Sequence, residues 1–480
     1  MTETQTKPRT VDGLERALGP IAASAIVLGT MIGTGIFLKP SEVARDAGSI
    51  GIVSVAWIAG GILSLFGGLC YAELGASIPE AGGEYAYLRH GFGTKLAFLF
   101  GWMHSVVARP ASIAAIAAGL MRFCSFLFPP LEAAFYTIHW HAAFLGPRYS
   151  SLAFTWAQLL SVLAILIITG INYLGIRLGG QVQIALTLVK VASVVVIIVG
   201  AFLLIRAPHL KTNFHVLWPK TFGWGTCEGF LAGLAASAWA YDGWNDLNLV
   251  GSEVRDPQRN FPRVIVSGVL FVLVIFLLFN TACFYALPYD AVASSTHVAS
   301  DVFNAIAGHG AALWITLAMA ISALGTLNSS VLSGARVDYA MARDGIFFQV
   351  AAGVHPRFRT PAKALIFQGV LASVMALSGG FEDLTSLVMF GSWTFYGLAV
   401  LSMLRMRMTQ PNMPRPYKTW GYPVTPVLFV LGAFALALSL WLANPVRSTI
   451  GFVLVMSGLF FYQAWTRDAP PPSHRETGER

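Results

Sequence analysis

Charge is scarce in this chain. Asp, Glu, Lys and Arg make up 11% of its 480 residues, where a soluble domain carries about a quarter. That scarcity excludes an ordinary water-soluble globule. Cysteine is scarce too. The four present, Cys70, Cys124, Cys227 and Cys283, have no metal-binding or redox spacing. A disulfide scaffold and a zinc site therefore drop out, and each cysteine, lying in or beside an apolar run, reads as a small core hydrophobe. His139 and His141, in "IHWH", are neighbouring imidazoles without further ligands, which makes no metal site. "GGEYAYLRHGFG" is glycine-rich but lacks the Lys-Ser/Thr ending of a P-loop and any strand before it, so no ATP coupling is implied. "VLSGA" (331–335) has the look of a serine nucleophile motif and reads instead as a small-residue packing face. The sequence thus offers no catalytic residues, no metal and no cofactor, and an enzyme is not expected.

Apolar sequence is what the chain has in abundance: 56% hydrophobic residues and a mean hydropathy of +0.65. Runs of about 18 or more mostly apolar residues mark transmembrane helices. Twelve such spans are read near 18–45 (broken), 50–77, 96–127, 152–173, 181–206, 225–252 (broken), 263–287, 310–341, 363–379, 384–405, 424–443 and 447–465. The first run is no cleavable signal peptide, since it lacks a small-residue cleavage site and many spans follow. The formal charge of +8 suggests nucleic acid until its location is considered. Basic residues gather in alternate loops, "VRDPQRNFPR", "HPRFRTPAK" and "LRMRMTQPNMPRPYK". With both termini cytoplasmic, roughly 21 Lys/Arg fall inside and roughly 8 outside, as the positive-inside rule expects. Residues 1–15 and the Pro-rich tail 466–480 are expected to be disordered and cytoplasmic.

Two spans are interrupted. "GTMIGTGIF" (29–37) puts three glycines in the first, each costing about 1 kcal/mol relative to alanine in a helix. "SAWAYDGWNDLN" (237–248) puts Asp242-Gly243 in the middle of the sixth. These are the first positions of two five-span halves, 16–206 and 222–405, with 424–465 as the last two helices. Interrupted helices at matching positions of two halves point to a transporter's binding site. A packing glycine is the plainer reading of either break alone.

Unwinding around Gly33-Thr34-Gly35 leaves a half-helix whose N–H groups and positive dipole end suit a carboxylate. The half-helix ending near Met31-Ile32 leaves carbonyls that suit an ammonium group. The sixth span repeats the pattern from Trp239 to Gly243. An α-amino acid is the simplest ligand with both groups. Asp242, a carboxylate at mid-membrane, is a functional candidate by its cost alone; it could pair a substrate cation, or cap Trp244 or Asn245. Lys190 lies too deep in the fifth span to snorkel and could stand where a coupling sodium ion would, with Asn328, Ser329, Ser330 and Ser333 of the eighth span as partners. Arg109 reads as a structural or gating residue, paired with carbonyls or an acid near a helix end.

"IVLGTMIGTGIFLKP", "WIAGGILSLFGGLCYAELGASIPEAGGEYAYL", "ARPAS", "INYLGIRLGGQVQ" and "WAYDGWNDLNLVGSEVRDPQRNFPR" resemble, in order, signatures of the L-type amino acid transporter family, within the amino acid–polyamine–organocation superfamily. The resemblance covers residues from about 15 to about 400. It implies an all-α membrane protein of twelve helices in a five-plus-five inverted repeat, the leucine-transporter-like fold, with helices one and six broken. It implies sodium-independent exchange or uptake of L-amino acids by alternating access, neutral ones and, with aspartate at 242, cationic ones as well. By the same resemblance the carboxylate site falls on the backbone of Thr34 and Gly35 and the amine site on the carbonyls of Met31, Trp239 and Asp242. The aromatic gate falls on Trp239, the polar residue of the second break on Asn245, and the fifth-helix lysine on Lys190. The chain departs from the family at Thr34, where serine is common, at Asp242, where a small residue is common, and at Gly251-Ser252-Glu253, where members often read Thr-Glu-Glu. Animal members join a heavy chain through a cysteine between spans three and four; Cys124 is expected inside the third span, so no disulfide-linked partner is expected. Location in the plasma membrane follows from the resemblance. The rival readings are a proton-coupled or uniporter-like permease of the same fold and, in a different class, a non-transporting amino acid sensor.

Overall fold

The computed structural model of the protein describes residues 10–11, 13–139, 151–205, 209–215, 217–308, 312–378 and 381–467. The opening span is split into α1 (Pro20–Met31) and α2 (Gly35–Ala47), and α3 (Ile50–Ser77) follows. A polar helix, α4 (Glu84–Phe92), leads into α5 (Thr94–Trp102), a π-helical turn over Met103–Ala108, and α6 (Arg109–Leu127). Next come α7 (Trp156–Tyr173), α8 (Ile176–Leu204) and the short α9 (Leu210–His215). The sixth span is split into α10 (Trp224–Ala240) and α11 (Asp246–Leu249), followed by α12 (Pro257–Ala286). The short α13 (Tyr289–Ser294) and α14 (Val298–Ala307) precede α15 (Ala312–Arg343), α16 (Ala362–Ser378), α17 (Phe381–Thr409), α18 (Val424–Ala443) and α19 (Pro445–Arg467). Among the described residues nine helices, with α1–α2 and α5–α6 each taken as one, are long and apolar enough to cross a membrane.

Several boundaries differ from the sequence reading, for local reasons. Two antiparallel strand pairs interrupt the all-α expectation. Thr10–Val11 pairs with Leu14–Glu15, and Leu14 is fully buried there. Ala134–His139 pairs with Ser151–Thr155, which shortens the fourth span to begin at Trp156. A capping box sets that start: Thr155 Oγ1 accepts the Gln158 N–H at 3.3 Å, and Gln158 Oε1 accepts the Thr155 N–H at 2.8 Å. His139 ends the first strand of this hairpin and His141 lies outside the described residues. Helix α4 lies outside the twelve spans read in the sequence because it is polar; Glu84 in its first turn and Arg89 in its last complement its dipole. Cys70 and Cys283 are buried and Cys124 is half-buried in α6, but Cys227 is exposed. It lies in the first turn of α10, whose outer residues face away from the protein, so the reading of all four cysteines as core is corrected there.

The end of the molecule near residue 18 is tied by backbone and charge. Leu18 N–H donates to the Glu253 carbonyl at 3.0 Å, and Arg255 N–H to the Leu18 carbonyl at 2.9 Å. Arg336 of α15 grips both Glu253 carboxylate oxygens, at 2.8 and 3.0 Å, in a pair with side chains 1% and 0% exposed. Glu253 is thus the residue of the Gly-Ser-Glu triplet that closes this end. Nearby, Arg89 binds both Glu80 and Asp344. Breaking a pair buried this deeply strands a charge. Arg336→Ala should therefore cost about 3–5 kcal/mol, measured as a lowered unfolding midpoint in detergent; an unchanged midpoint would show that Glu253 is solvated without its arginine.

Candidate functional site

The first break is short. Helix α1 closes with the Ile32 N–H bonded to the Leu28 carbonyl at 2.9 Å, and α2 begins at Gly35 with Thr34 as its N-cap residue. The unwound stretch is therefore Ile32 to Thr34, and Gly35 is already helical. Thr34 makes no side-chain cap bond; the Phe37 N–H reaches the Thr34 carbonyl at 3.2 Å, which leaves the Gly35 and Ile36 N–H groups at the helix start without an intrahelical acceptor. Glycine at 35 is required by packing: a Cβ there would lie 2.8 Å from Ala240 Cα and 3.1 Å from the Trp239 ring. The two broken helices touch at this point.

The second break runs from Tyr241 to Asn245. Gly243 takes φ +111° there, and a Cβ on it would meet the Thr30 methyl at 2.4 Å. Each break thus presses on the other, and one cavity lies between them. Its volume is about 70 Å³. Met31, Gly33, Thr34, Gly35, Trp239, Asp242 and Asn245 line it. Ile32 does not: it is fully buried behind the break, and its carbonyl accepts Ser322 Oγ at 3.4 Å. Asp242 Oδ1 accepts the Tyr396 hydroxyl at 3.0 Å, and α11 has no side-chain N-cap bond. The carboxylate is thus tied to α17. Trp239 lies over the cavity with Lys39 Nζ 5.2 Å from its ring.

A charged wall completes the cavity, and most of it was missed in the sequence. Arg109 reaches Asp246, the first residue of α11, with Nη2–Oδ1 at 2.7 Å and Nη1–Oδ2 at 3.3 Å. This is the acid at a helix end that the sequence left unnamed. Ser333 adds a hydroxyl to Asp246 at 3.1 Å. The π-helical turn before Arg109 is defined by its N–H bonding back to the His104 carbonyl. Pro110, which cannot donate a hydrogen bond and crowds the turn before it, favours that widening. Glu84, from α4, also lines the cavity, and Asn245 Nδ2 donates to its Oε1 at 2.5 Å. The signal available for both acids was their position: a carboxylate in or beside a membrane span needs a reason to be there.

Lys190 does not line the cavity but sits behind the first break. Its Nζ donates to the Gly29 carbonyl at 2.5 Å and to Thr326 Oγ1 at 3.0 Å. The eighth-span partner is thus Thr326, not Asn328, Ser329, Ser330 or Ser333. Those four are used elsewhere or face away: Asn328 bonds Gln183 and Asn172, Ser329 bonds Thr30, and Ser333 bonds Asp246, while Ser330 lines the cavity. Thr326 is one helical turn nearer the break, where α8 and α15 both meet the last carbonyls of α1.

A profile of the amino acid permease family matches residues 18–462. The b(0,+)-type amino acid transporter 1 of Mus musculus is 33% identical over 451 residues, spanning 94% of this chain and 88% of the relative. This chain belongs to the amino acid permease family. It is also similar to the Large neutral amino acids transporter small subunit 2 of Homo sapiens, 32% identical over 459 residues with 94% and 80% covered. The Asc-type amino acid transporter 1 of Mus musculus is 29% identical over 471 residues, with 97% and 84% covered. Family membership makes the protein a multi-pass membrane transporter and not an enzyme. It also agrees with the L-type resemblance carried by the five motifs. In this permease, a leucine at 35 would collide with Ala240 and Trp239 and part the two breaks. Gly35→Leu should abolish binding of labelled amino acids to the detergent-purified protein; retained affinity would show that the cavity between the breaks is not the binding site.

Proposed function

We propose that this permease is a sodium-independent exchanger of L-amino acids, neutral and cationic, working by alternating access. The observation that carries this is the junction of two helix breaks around one small cavity, which offers N–H groups from α2 and carbonyls from α1 and α10 to a zwitterion. In this reading Thr34 and Gly35 bind the carboxylate through their backbone, and the carbonyls of Met31, Trp239 and Asp242 bind the amine. Trp239 gates the cavity, while Asn245 is the polar residue of the second break. Gly33 faces the solute from the turn, and Ile32 shapes that turn from behind. Asp242 selects for a cationic side chain. Lys190 replaces sodium: an ammonium fixed on the Gly29 carbonyl supplies the positive charge that would otherwise hold the end of α1.

The same reading has twelve spans. The split α1–α2 opens one set of five, with α3, α5–α6, α7 and α8; the split α10–α11 opens the second, with α12, α15, α16 and α17; α18 and α19 follow. The two halves are inverted repeats in a leucine-transporter-like fold. The basic loops support a reading with both termini in the cytoplasm and the protein in the plasma membrane. The Leu18–Glu253–Arg336 contacts are then the closed cytoplasmic gate. The relative named a small subunit is by that name part of a larger assembly; here Cys124 is held inside α6, which favours a transporter without a disulfide-linked heavy chain.

Purified protein in liposomes, with no sodium and no pH gradient, tests this directly. Labelled amino acids should enter vesicles preloaded with amino acids at least tenfold faster than empty ones. Equal uptake into both would make the protein a uniporter. Uptake only under an imposed proton gradient would make it proton-coupled, and binding without uptake under any gradient would make it a sensor.

A further inference from the structure

The glycine-rich stretch that resembles no nucleotide loop has a place in the site. Gly82 N–H donates to the Leu249 carbonyl at 2.9 Å, and Ala81 bridges to Val250. These bonds pin the start of α4 against the end of α11 and hold Glu84 at the cavity wall. Glu84 is 0% exposed. Its Oε1 takes the Asn245 amide, while its Oε2 has no hydrogen-bond partner among the described residues. Asn245 Oδ1, on the other end of the same amide, has none either. Two buried acceptors on one hydrogen-bonded unit are thus left without a donor, at a cavity both residues line.

The charges around the cavity have the same sign of imbalance. Three carboxylates line it, Glu84, Asp242 and Asp246, against one guanidinium, Arg109. Arg109 is committed to Asp246 through two hydrogen bonds. Asp242 has a hydroxyl from Tyr396 and Glu84 an amide from Asn245, and neither is a counter-charge. An ammonium or guanidinium group, which carries only donors, would satisfy Glu84 Oε2 and Asn245 Oδ1 together and return the charge toward balance.

We propose that Glu84 is a second acidic anchor of the substrate site, which with Asn245 binds the side-chain cation of a basic amino acid. This rests on the exchange reading above, in which the two breaks bind the α-carboxylate and α-amine. Asp242, which favours a cationic side chain from the break itself, is the first anchor, and Glu84, joined to the Asn245 side chain, is the second on the same charge.

The test is uptake of labelled lysine and labelled leucine by the unaltered protein, Glu84→Gln and Glu84→Asp, in liposomes loaded with unlabelled amino acids. Glu84→Gln keeps the side-chain shape and removes the charge; it should lower the ratio of lysine to leucine uptake tenfold or more. Glu84→Asp keeps the charge and should retain most of the preference for lysine. Leucine uptake reports that each variant is folded. Cadaverine has the two ammonium groups and no carboxylate, and it should compete poorly with lysine. Unchanged lysine uptake in Glu84→Gln would overturn the proposal, as would equal loss of both substrates in Glu84→Gln and Glu84→Asp. Cadaverine competing as well as lysine would overturn the assignment to a basic amino acid. Leucine uptake without lysine uptake by the unaltered protein would overturn the role of Glu84 and leave exchange standing; uptake of neither would overturn both.

Discussion

Lipid cannot hydrogen-bond a peptide group, and the rest of this structure follows from that constraint. A helix that unwinds inside a membrane frees N–H and C=O groups, each costing several kcal/mol if left in hydrocarbon. This chain unwinds at Ile32–Thr34 and Tyr241–Asn245 and then surrounds both breaks with other helices. Lys190 and Thr326 take the Gly29 carbonyl, and Gln183 and Thr187 take the Ala25 carbonyl one turn earlier. The polar face of α8 thus stabilises the closing turns of α1 from behind. The groups facing the cavity are the ones a solute can reach.

The charged residues divide along the same line. Arg336–Glu253 and Arg407–Glu73 lie near the ends of helices, where they fix how segments distant in sequence meet. Arg109–Asp246 lies at the cavity and joins α6 to α11, so it couples the wall of the site to the shorter half of a broken helix. Buried pairs of this kind contribute more to choosing one arrangement than to net stability. Together they give a rigid frame around a pair of breaks that remain locally weak. Alternating access in the proposed exchanger needs that division, because the frame must hold while the broken helices rock.

Much of this was legible in the sequence. Glycine clusters at matching positions of the two halves, one with an acid beside it, announced both breaks, since packing glycines explain either alone but not the pair. The depth of Lys190 announced a buried cation with a partner. What stayed hidden depended on contacts between distant segments. Asp246 sits beside Asp242 in the same motif, but its partner is 137 positions away. Glu84 belongs to a helix too polar to register as a span, and its route to the cavity depends on the backbone bonds between residues 81–82 and 249–250. Thr326 differs from the serines and asparagine first considered only by where one turn of α15 falls against α1. Ile32 reads as a site residue because the first half-helix ends near Met31-Ile32 with free carbonyls; its carbonyl instead accepts Ser322 Oγ, and the residue is buried.

The central claim is that two helix ends read the two charges of one α-amino acid. Binding of labelled leucine to the purified protein, challenged with unlabelled leucine, leucine methyl ester and N-acetyl-leucine, tests it most directly. The account predicts that leucine competes and that both blocked derivatives are at least a hundredfold weaker, since each removes the charge that one helix end binds. Competition by either derivative as strong as by leucine itself would contradict it.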